Sequence, residues 1–307
     1  MRIGIGVGIS ETSTMEEALE QFARAEADGF ASVWLPNIFS YDAITLVALA
    51  GRVTSKIELG TFVVPTYPRH PSVIAQQALT AAAATGNRFT LGIGLSHKVV
   101  IEDMLGMDYS KPIRHTREYL TILDRALTGQ PTRFVGEEYR VAFQITVPGA
   151  QKPPVIVAAL GPQMLKLAGR LADGTATWMG GPKYLEGTAV PIISAAAKEA
   201  GRPAPRIVSG FPVAVTANAD AAHASAATVF AIYGQLPSYR ATLDRGGYAD
   251  ASSVAIVGDE DEVARQMRHL RDVGVTDFNA SPFPVEGDPG ATKRTYELMA
   301  ELAKKGL

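Results

Sequence analysis

Short apolar runs alternate along the chain with alanine-rich amphipathic segments, and this alternation restricts the fold more than any other feature. Parallel strands joined by crossover helices produce such a pattern, because the helices cover the faces of the sheet. The runs show no apolar–polar alternation, as expected for strands that are buried on both faces. Eight runs fit this description: residues 3–9, 31–36, 57–64, 89–95, 154–160, 175–179, 207–216 and 276–281.

Eight strand–helix units in 307 residues predict an α/β fold, a (β/α)8 TIM barrel, since doubly wound sheets usually have about five or six strands. Two intervals between predicted strands are too long for bare loops, and neither has the composition of a linker: residues 96–153 and 216–275. The first contains a predicted helix near residues 113–127 and a predicted hairpin at 133–141. We therefore predict one domain, residues 1–307, with insertions after strands 4 and 7. Its site should lie at the C-terminal ends of the strands.

Composition and charge exclude several functional classes. The chain has no cysteine, which excludes disulfides, zinc–thiolate sites, iron–sulfur clusters and cysteine nucleophiles. The formal net charge is −2 and the basic residues are scattered, so nucleic acid is not an expected partner. The sequence shows no secretion signal and no apolar stretch near the roughly 20 residues that span a bilayer. We expect a soluble cytoplasmic protein, with no membrane partner, that acts on a small molecule.

The familiar phosphate-binding and hydrolytic motifs are missing or incomplete. The glycine-rich run at residues 4–8 has Ile9 where a dinucleotide fingerprint requires its third glycine, and residues 92–97 fail for the same reason. The sequence contains no P-loop, no His-Glu-x-x-His zinc helix and no Gly-x-Ser-x-Gly elbow. Neither a metal site nor serine hydrolysis is predicted.

The five histidines differ in what their positions predict. His115, His223 and His269 lie in amphipathic helices beside charged or small residues, so solvated helix faces are expected for them. His70 precedes a proline in a strand-to-helix loop, where a functional role and a role in starting the helix are equally open. His97 directly follows predicted strand four, where a TIM barrel places its chemistry, and we predict that it is functional.

Several segments, taken in order, resemble the luciferase-like monooxygenase superfamily, and particularly its coenzyme F420-dependent oxidoreductases. The resemblance extends over nearly the whole chain, and its strength lies in the order of the segments. They are residues 25–34, 57–64 with 69–71, 87–94, 154–162 with 167–174, and 257–263 with 272–275.

The resemblance implies a deazaflavin bound at the C-terminal end of the barrel. A non-prolyl cis peptide behind its ring would fall at Phe62–Val63, next to Thr61, with an ordinary trans strand as the alternative. The stretch Leu95, Ser96 and His97 would run under the ring. The segment Ala159, Leu160, Gly161 and Pro162 would hold the cofactor phosphate through the free backbone N–H groups at the helix start, where Pro162 itself has no N–H to donate; a plain strand-to-helix turn could also explain this segment. A homodimer is implied as well.

Two positions depart from the family pattern. Where an Asp-His pair is frequent, this chain has Asn37 and Ile38. Asn37 can hydrogen-bond the ring, but neither residue can relay a proton, which argues against the sugar-phosphate dehydrogenase subtype. Several relatives have an acidic proton donor where His97 stands, and a histidine can donate a proton near neutral pH. The acid–base role is therefore assigned to His97 or to the substrate itself.

The resulting prediction is an F420-dependent oxidoreductase that transfers a hydride between the deazaflavin and a small organic substrate. Reduction of a C=N, C=O or C=C bond is the expected reaction. The alternatives are a reduced-flavin (FMN) monooxygenase and a non-catalytic cofactor-binding barrel. Four aromatic residues near predicted strand ends could form a substrate wall or simply pack in loops and core: Tyr41, Tyr67, Trp178 and Phe283.

Overall fold

A computed structural model describes residues 1–9 and 12–307. Its central feature is a closed barrel of eight parallel strands, in which the first strand pairs with both the second and the last. The predicted (β/α)8 fold is therefore confirmed. The barrel strands are β1 (Arg2–Gly6), β2 (Ser32–Leu35), β3 (Glu58–Thr61), β5 (Phe89–Gly94), β8 (Val155–Ala158), β9 (Gly174–Trp178), β10 (Arg206–Val215) and β12 (Asp277–Pro282).

Four further strands lie outside this closed set. The short β4 (Val64–Pro65) follows β3 and pairs with the outer end of β5. The strands β6 (Thr132–Val135) and β7 (Arg140–Phe143) form an antiparallel hairpin, which confirms the predicted one. Finally, β11 (Ile256–Gly258) pairs in parallel with the outer end of β10.

Helices surround the barrel and fill the two long intervals. After β5 come a π-helical segment, a long helix and the hairpin; after β10 come four helices and β11. Among the described residues no helix is long and apolar enough to cross a membrane. The α-helices are α1 (Met15–Ala27), α2 (Ala43–Ala50), α3 (Pro71–Ala84), α4 (Pro112–Ala126), α5 (Pro162–Leu171), α6 (Pro182–Tyr184), α7 (Val190–Glu199), α8 (Ala219–Val229), α9 (Ala231–Gln235), α10 (Pro237–Gly246), α11 (Glu260–Asp272) and α12 (Ala291–Lys305).

The middle of the barrel is filled by Trp34, which is fully buried and donates its Nε1–H to Ser32 Oγ at 2.9 Å. Glycines on both neighbouring strands make room for this side chain. A Cβ on Gly60 would lie 2.2 Å from Trp34 Cζ3, and one on Gly4 would lie 2.3 Å from Ser32 Oγ. The interior is therefore packed with side chains at this level, as in other TIM barrels.

The N-terminal end of the barrel is held by a network of ion pairs between the first residues of four strands. Arg206 contacts Glu58 at 2.9 Å and Asp277 at 2.6 Å. Arg2 contacts the same two carboxylates at 2.6 and 3.2 Å. Because Asp277 is only 2% exposed, these charges depend on one another for compensation.

Candidate functional site

Small residues occupy the inward positions at the C-terminal end of the barrel, and we call the region above them the recess. Side chains two positions apart on a strand share a face, so the inward positions above the Trp34 level can be assigned. Four strands place a glycine or alanine there: Gly6, Gly94, Ala158 and Gly210. A Cβ on Gly210 would lie 2.7 Å from Trp178 Cε3 and 3.1 Å from Phe62 Cζ, so Gly210 makes room for these two rings.

The peptide bond between Phe62 and Val63 is cis, which confirms that prediction. Two glycines of β5 lie against it: a Cβ on Gly92 would be 1.9 Å from Thr61 O, and one on Gly94 would be 2.7 Å from Val63 Cγ2. Thr61 is fully buried, and its hydroxyl donates to Gly92 O and accepts from Gly92 N, both at 2.8 Å. Thr61 therefore supports this segment, and the expected cofactor contact at this residue stays a prediction.

The end of β5 turns sharply before His97. Ser96 has φ +61°, a left-handed conformation that is uncommon outside glycine and that often marks functional sites. Its carbonyl accepts from the Tyr109 hydroxyl at 3.4 Å. Leu95, Ser96 and His97 are all partly exposed, and the His97 carbonyl accepts from the first N–H groups of the π-helical segment Val99–Met104. Such segments also recur at functional sites.

The His97 side chain is partly buried, with its ring centroid 5.8 Å from that of Tyr239. Burial lowers the pKa of His97 below its ordinary 6.5. At neutral pH the imidazole is therefore neutral to a greater extent than the sequence alone indicates. Any proton that it supplies must come from a minor cationic form or from a neutral ring N–H.

Asn37 is already engaged in local structure. Its Oδ1 accepts from Ala43 N at 3.0 Å, at the start of α2, and from Arg69 Nη2 at 3.4 Å. Arg69 also forms an ion pair with Asp42, the N-cap of α2. A cofactor contact by Asn37 would therefore use its Nδ2 amino group. The next residue, Ile38, is 67% exposed.

The start of α5 has the character expected of a phosphate site. Its N-cap is Gly161, no side chain caps it, and Pro162 occupies the first turn. The first backbone N–H groups of such an end lack intrahelical partners and can bind an anion. Ala159 is fully buried, and the Leu160 carbonyl accepts from the Tyr184 hydroxyl at 2.7 Å. An anion would therefore be bound by the backbone that follows Leu160, and this role stays a prediction.

The four aromatic wall candidates do not come together. Trp178 is partly exposed at the recess. Phe283 is only 2% exposed and packs edge-on against Phe230, so it belongs to the core of the second insertion and not to a substrate wall. The Tyr41 hydroxyl donates to Ser13 O at 3.0 Å.

Tyr67, the fourth candidate, stacks on His115 with 4.1 Å between ring centroids. His115 is 6% exposed, so the expected solvated face is wrong for this residue. Its Nε2 lies 2.9 Å from Thr66 Oγ1 and its Nδ1 lies 3.3 Å from the Tyr139 hydroxyl. Burial lowers the pKa of His115 from 6.5 to about 4. The segment that follows β4 and the hairpin residue Tyr139 both contact this ring.

The remaining histidines follow their local patterns. His223 and His269 are exposed, as predicted. His70 is the N-cap of α3 and accepts the Ser72 N–H through Nδ1, so the structure assigns it a role in starting that helix. In the described part of the chain no group of three or more metal-ligating side chains comes together.

One candidate site residue, Asn279, was missed by the sequence analysis. It lies on β12, two positions after the inward-facing Asp277, and is only 4% exposed. Its Oδ1 is buried and has no hydrogen-bond partner within the part of the chain that the structure describes. A Cβ on Gly6 would come within 3.4 Å of this oxygen. A buried unpaired acceptor beside a recess of small residues fits a ligand that carries an N–H or O–H donor.

Known proteins resemble this chain in sequence. A sequence profile of the luciferase-like monooxygenases matches residues 1–277. A Mycobacterium tuberculosis protein, provisionally named a coenzyme F420-dependent oxidoreductase, is 30% identical over 188 residues; these cover 57% of this chain but only 54% of that protein. The 5,10-methylenetetrahydromethanopterin reductase of Methanolobus tindarius is 29% identical over 282 residues, covering 90% of this chain and 84% of that protein.

Solved structures at lower identity show the same fold. The F420-dependent tetrahydromethanopterin reductase of Methanopyrus kandleri superimposes with a TM-score of 0.77 at 23% identity, covering 98% of this chain and 97% of that one. The FMN-bound oxygenating component of 3,6-diketocamphane monooxygenase from Pseudomonas putida gives 0.77 at 17%, with 100% and 98% covered. The family profile, which matches residues 1–277 of 307, leads to one conclusion: this chain belongs to the luciferase-like monooxygenase family.

Proposed function

We propose that this protein is an F420-dependent oxidoreductase that transfers a hydride between the deazaflavin and a small organic substrate, as a reductase of a C=N, C=O or C=C bond. The observation that carries the proposal is the set of small inward-facing residues at the end of the barrel, Gly6, Gly94, Ala158 and Gly210, beside the buried and unpaired Oδ1 of Asn279. The relatives named for F420 or for methylenetetrahydromethanopterin reduction favour a deazaflavin.

The residues present fit such a cofactor. Phe62 and Val63 would lie against its ring together with Leu95 and Ser96, and the unpaired Asn279 amide would accept a hydrogen bond from it. The free backbone N–H groups at the start of α5, from Gly161 onward and without Pro162, would hold its phosphate. When bound, F420 supplies the hydride, and the protein orients it and excludes water.

His97 would then control the proton that accompanies hydride transfer. An unsaturated group that accepts a hydride gains electron density on its heteroatom, or on the second carbon of a C=C bond, and must be protonated. His97 lies at the end of β5 beside the recess. The acidic side chain of Glu26 is not an alternative donor, because it lies on the outer face and accepts hydrogen bonds from the backbone of Ser55, Lys56 and Ile57. We assign the proton-donor role to His97, acting directly or through a bound water.

The test is a titration of the purified protein with F420 and with FMN. We expect F420 to bind more tightly; clearly tighter FMN binding would support the alternative of a reduced-flavin monooxygenase. Tight F420 binding without hydride exchange on any substrate would support a non-catalytic barrel.

A matched pair of glycine variants locates the cofactor. Gly6→Ala adds a methyl group at the recess with ordinary contacts to its neighbours, whereas Gly187→Ala adds one in open space on a distant helical segment. Gly6→Ala should weaken F420 binding by at least about tenfold, and Gly187→Ala should not change it. Equal affinity of both variants would mean that the ring binds elsewhere.

A further inference from the structure

The second insertion places a row of aromatic rings along the rim of the recess. Starting at His97, the ring centroids follow one another at 5.8 Å to Tyr239, 4.9 Å to Tyr233 and 6.0 Å to Trp178. The row connects the ends of β5 and β9. All four side chains are partly exposed, so each retains surface that a ligand can contact.

The segment that supplies this rim has no charge. Residues 221–239 contain no Asp, Glu, Lys or Arg. The next residue, Arg240, is already engaged: it pairs with Asp244 and donates to the carbonyls of Ala249 and Tyr248 at 2.7 and 2.8 Å. At the other end of the row, Lys98 pairs with Glu102 at 3.5 Å. The rim therefore offers no unpaired cation from these segments to an anionic ligand.

The two tyrosine hydroxyls on this rim are neutral. Burial raises the pKa of Tyr233 and of Tyr239 above the ordinary value of 10. Aromatic faces and edges with neutral hydroxyls attract flat apolar molecules and can hydrogen-bond a carbonyl. A charged group bound here would lose its hydration without gaining a counter-ion.

We propose that Tyr233 and Tyr239, together with Trp178, form the substrate wall of this site and select an uncharged, planar substrate, an aromatic or conjugated carbonyl or imine compound, over an anionic one. This rests on the proposed function, because it assigns the substrate class of the same reductase site.

Binding of two matched probes tests the proposal without turnover. Acetophenone and 4-acetylbenzoate share one skeleton and differ by a carboxylate, and their affinities for the full-length protein can be measured by calorimetry in the absence of F420. We expect acetophenone to bind at least about tenfold more tightly. Equal binding, or a preference for the carboxylate, would overturn the proposal. Because no cofactor is present, a failure of the F420 assignment would leave this result unaffected.

Three variants locate the wall. Tyr233→Leu and Tyr239→Leu should each weaken acetophenone binding by about two- to tenfold. Tyr296→Leu is the matched control: this tyrosine lies on α12, next to Phe30 and Asp28, and its replacement should leave probe binding unchanged. Tyr239→Arg should shift the preference towards 4-acetylbenzoate. Unchanged binding in both rim leucine variants would refute the wall; circular dichroism establishes that each variant is folded.

Discussion

His97 is the side chain whose replacement tests the chemistry most directly. A positioned general acid typically contributes about 10²–10⁴-fold in rate. We expect His97→Ala to lower kcat by at least about tenfold while F420 affinity stays within a few-fold of wild type, as measured by steady-state kinetics and cofactor titration. If affinity is lost and the saturated rate survives, His97 is a cofactor ligand. If neither changes, the substrate or a water supplies the proton.

The burial of His97 also predicts a pH profile. Because burial lowers its pKa below 6.5, the cationic form disappears as pH rises through a more acidic range than usual. If the imidazolium is the donor, log kcat should fall with a slope near −1 above about pH 7. In the His97→Gln variant, log kcat should not change with pH in this range. A flat limb in the wild-type enzyme would instead indicate donation by the neutral ring or by water.

Asn279 leads to a prediction in which stability and function change in opposite directions. Its Oδ1 is buried without a partner, so Asn279→Leu removes a desolvated acceptor and should raise the free energy of unfolding by about 1 kcal/mol while weakening F420 binding. Urea denaturation and cofactor titration measure the two effects. Asn218→Leu is the contrast, since that side chain caps α8 through Ala221 N and its loss should destabilise. Reduced stability in the Asn279 variant would show that the amide supports the fold.

At the scale of elements, the docking of the hairpin onto α4 should depend on pH. Glu118 on α4 accepts the N–H groups of Glu137, Glu138 and Tyr139, and the neutral His115 lies beneath the same hairpin. The pKa of His115 is about 4 in the folded chain, below its ordinary 6.5, so the unfolded chain takes up the proton first. The stabilisation that the neutral His115 contributes is therefore fully present above about pH 6.5, and it is lost as pH falls towards 4.

Most of this loss of unfolding free energy occurs at pH values above the range in which most carboxylates titrate. Between pH 7 and pH 5 the wild-type protein should lose about 2 kcal/mol of unfolding free energy through His115. In His115→Gln most of this dependence should disappear, whereas His269→Gln, at an exposed position, should retain it. Parallel curves for wild type and His115→Gln would contradict the assignment.

The same pair of elements shows how far sequence patterns extend. The helix and the hairpin could both be predicted because periodicity and turn residues are local signals. The burial of His115 could not, since it depends on how Thr66, Tyr67 and the hairpin residue Tyr139 pack around the helix. The sequence leaves the choice between wall and core open for Phe283 for a similar reason: its neighbour Phe230 belongs to an insertion whose path no local pattern specifies. Asn279 went unnoticed because its missing hydrogen bond is visible only once the barrel closes.

At the scale of the whole molecule, closure of the barrel depends on the ion-pair network at its N-terminal end. Arg206→Met leaves the carboxylates of Glu58 and Asp277 with Arg2 alone, and should lower the free energy of unfolding by about 3–5 kcal/mol. Arg170→Met breaks a pair with Glu199 whose side chains are 53% and 65% exposed, and should change stability by less than about 1 kcal/mol. Similar values for both variants would mean that the network adds little.

The glycines around Trp34 also have an optical consequence. The chain has only two tryptophans: Trp34, with no exposed surface inside the barrel, and Trp178, partly exposed at the recess. An indole that is buried away from water emits at shorter wavelength than a solvent-exposed one and is shielded from soluble quenchers. A partly exposed indole emits at longer wavelength and can be quenched. Trp34 fluorescence should therefore follow the closing and opening of the barrel, and quenching of Trp178 should follow the arrival of a ligand.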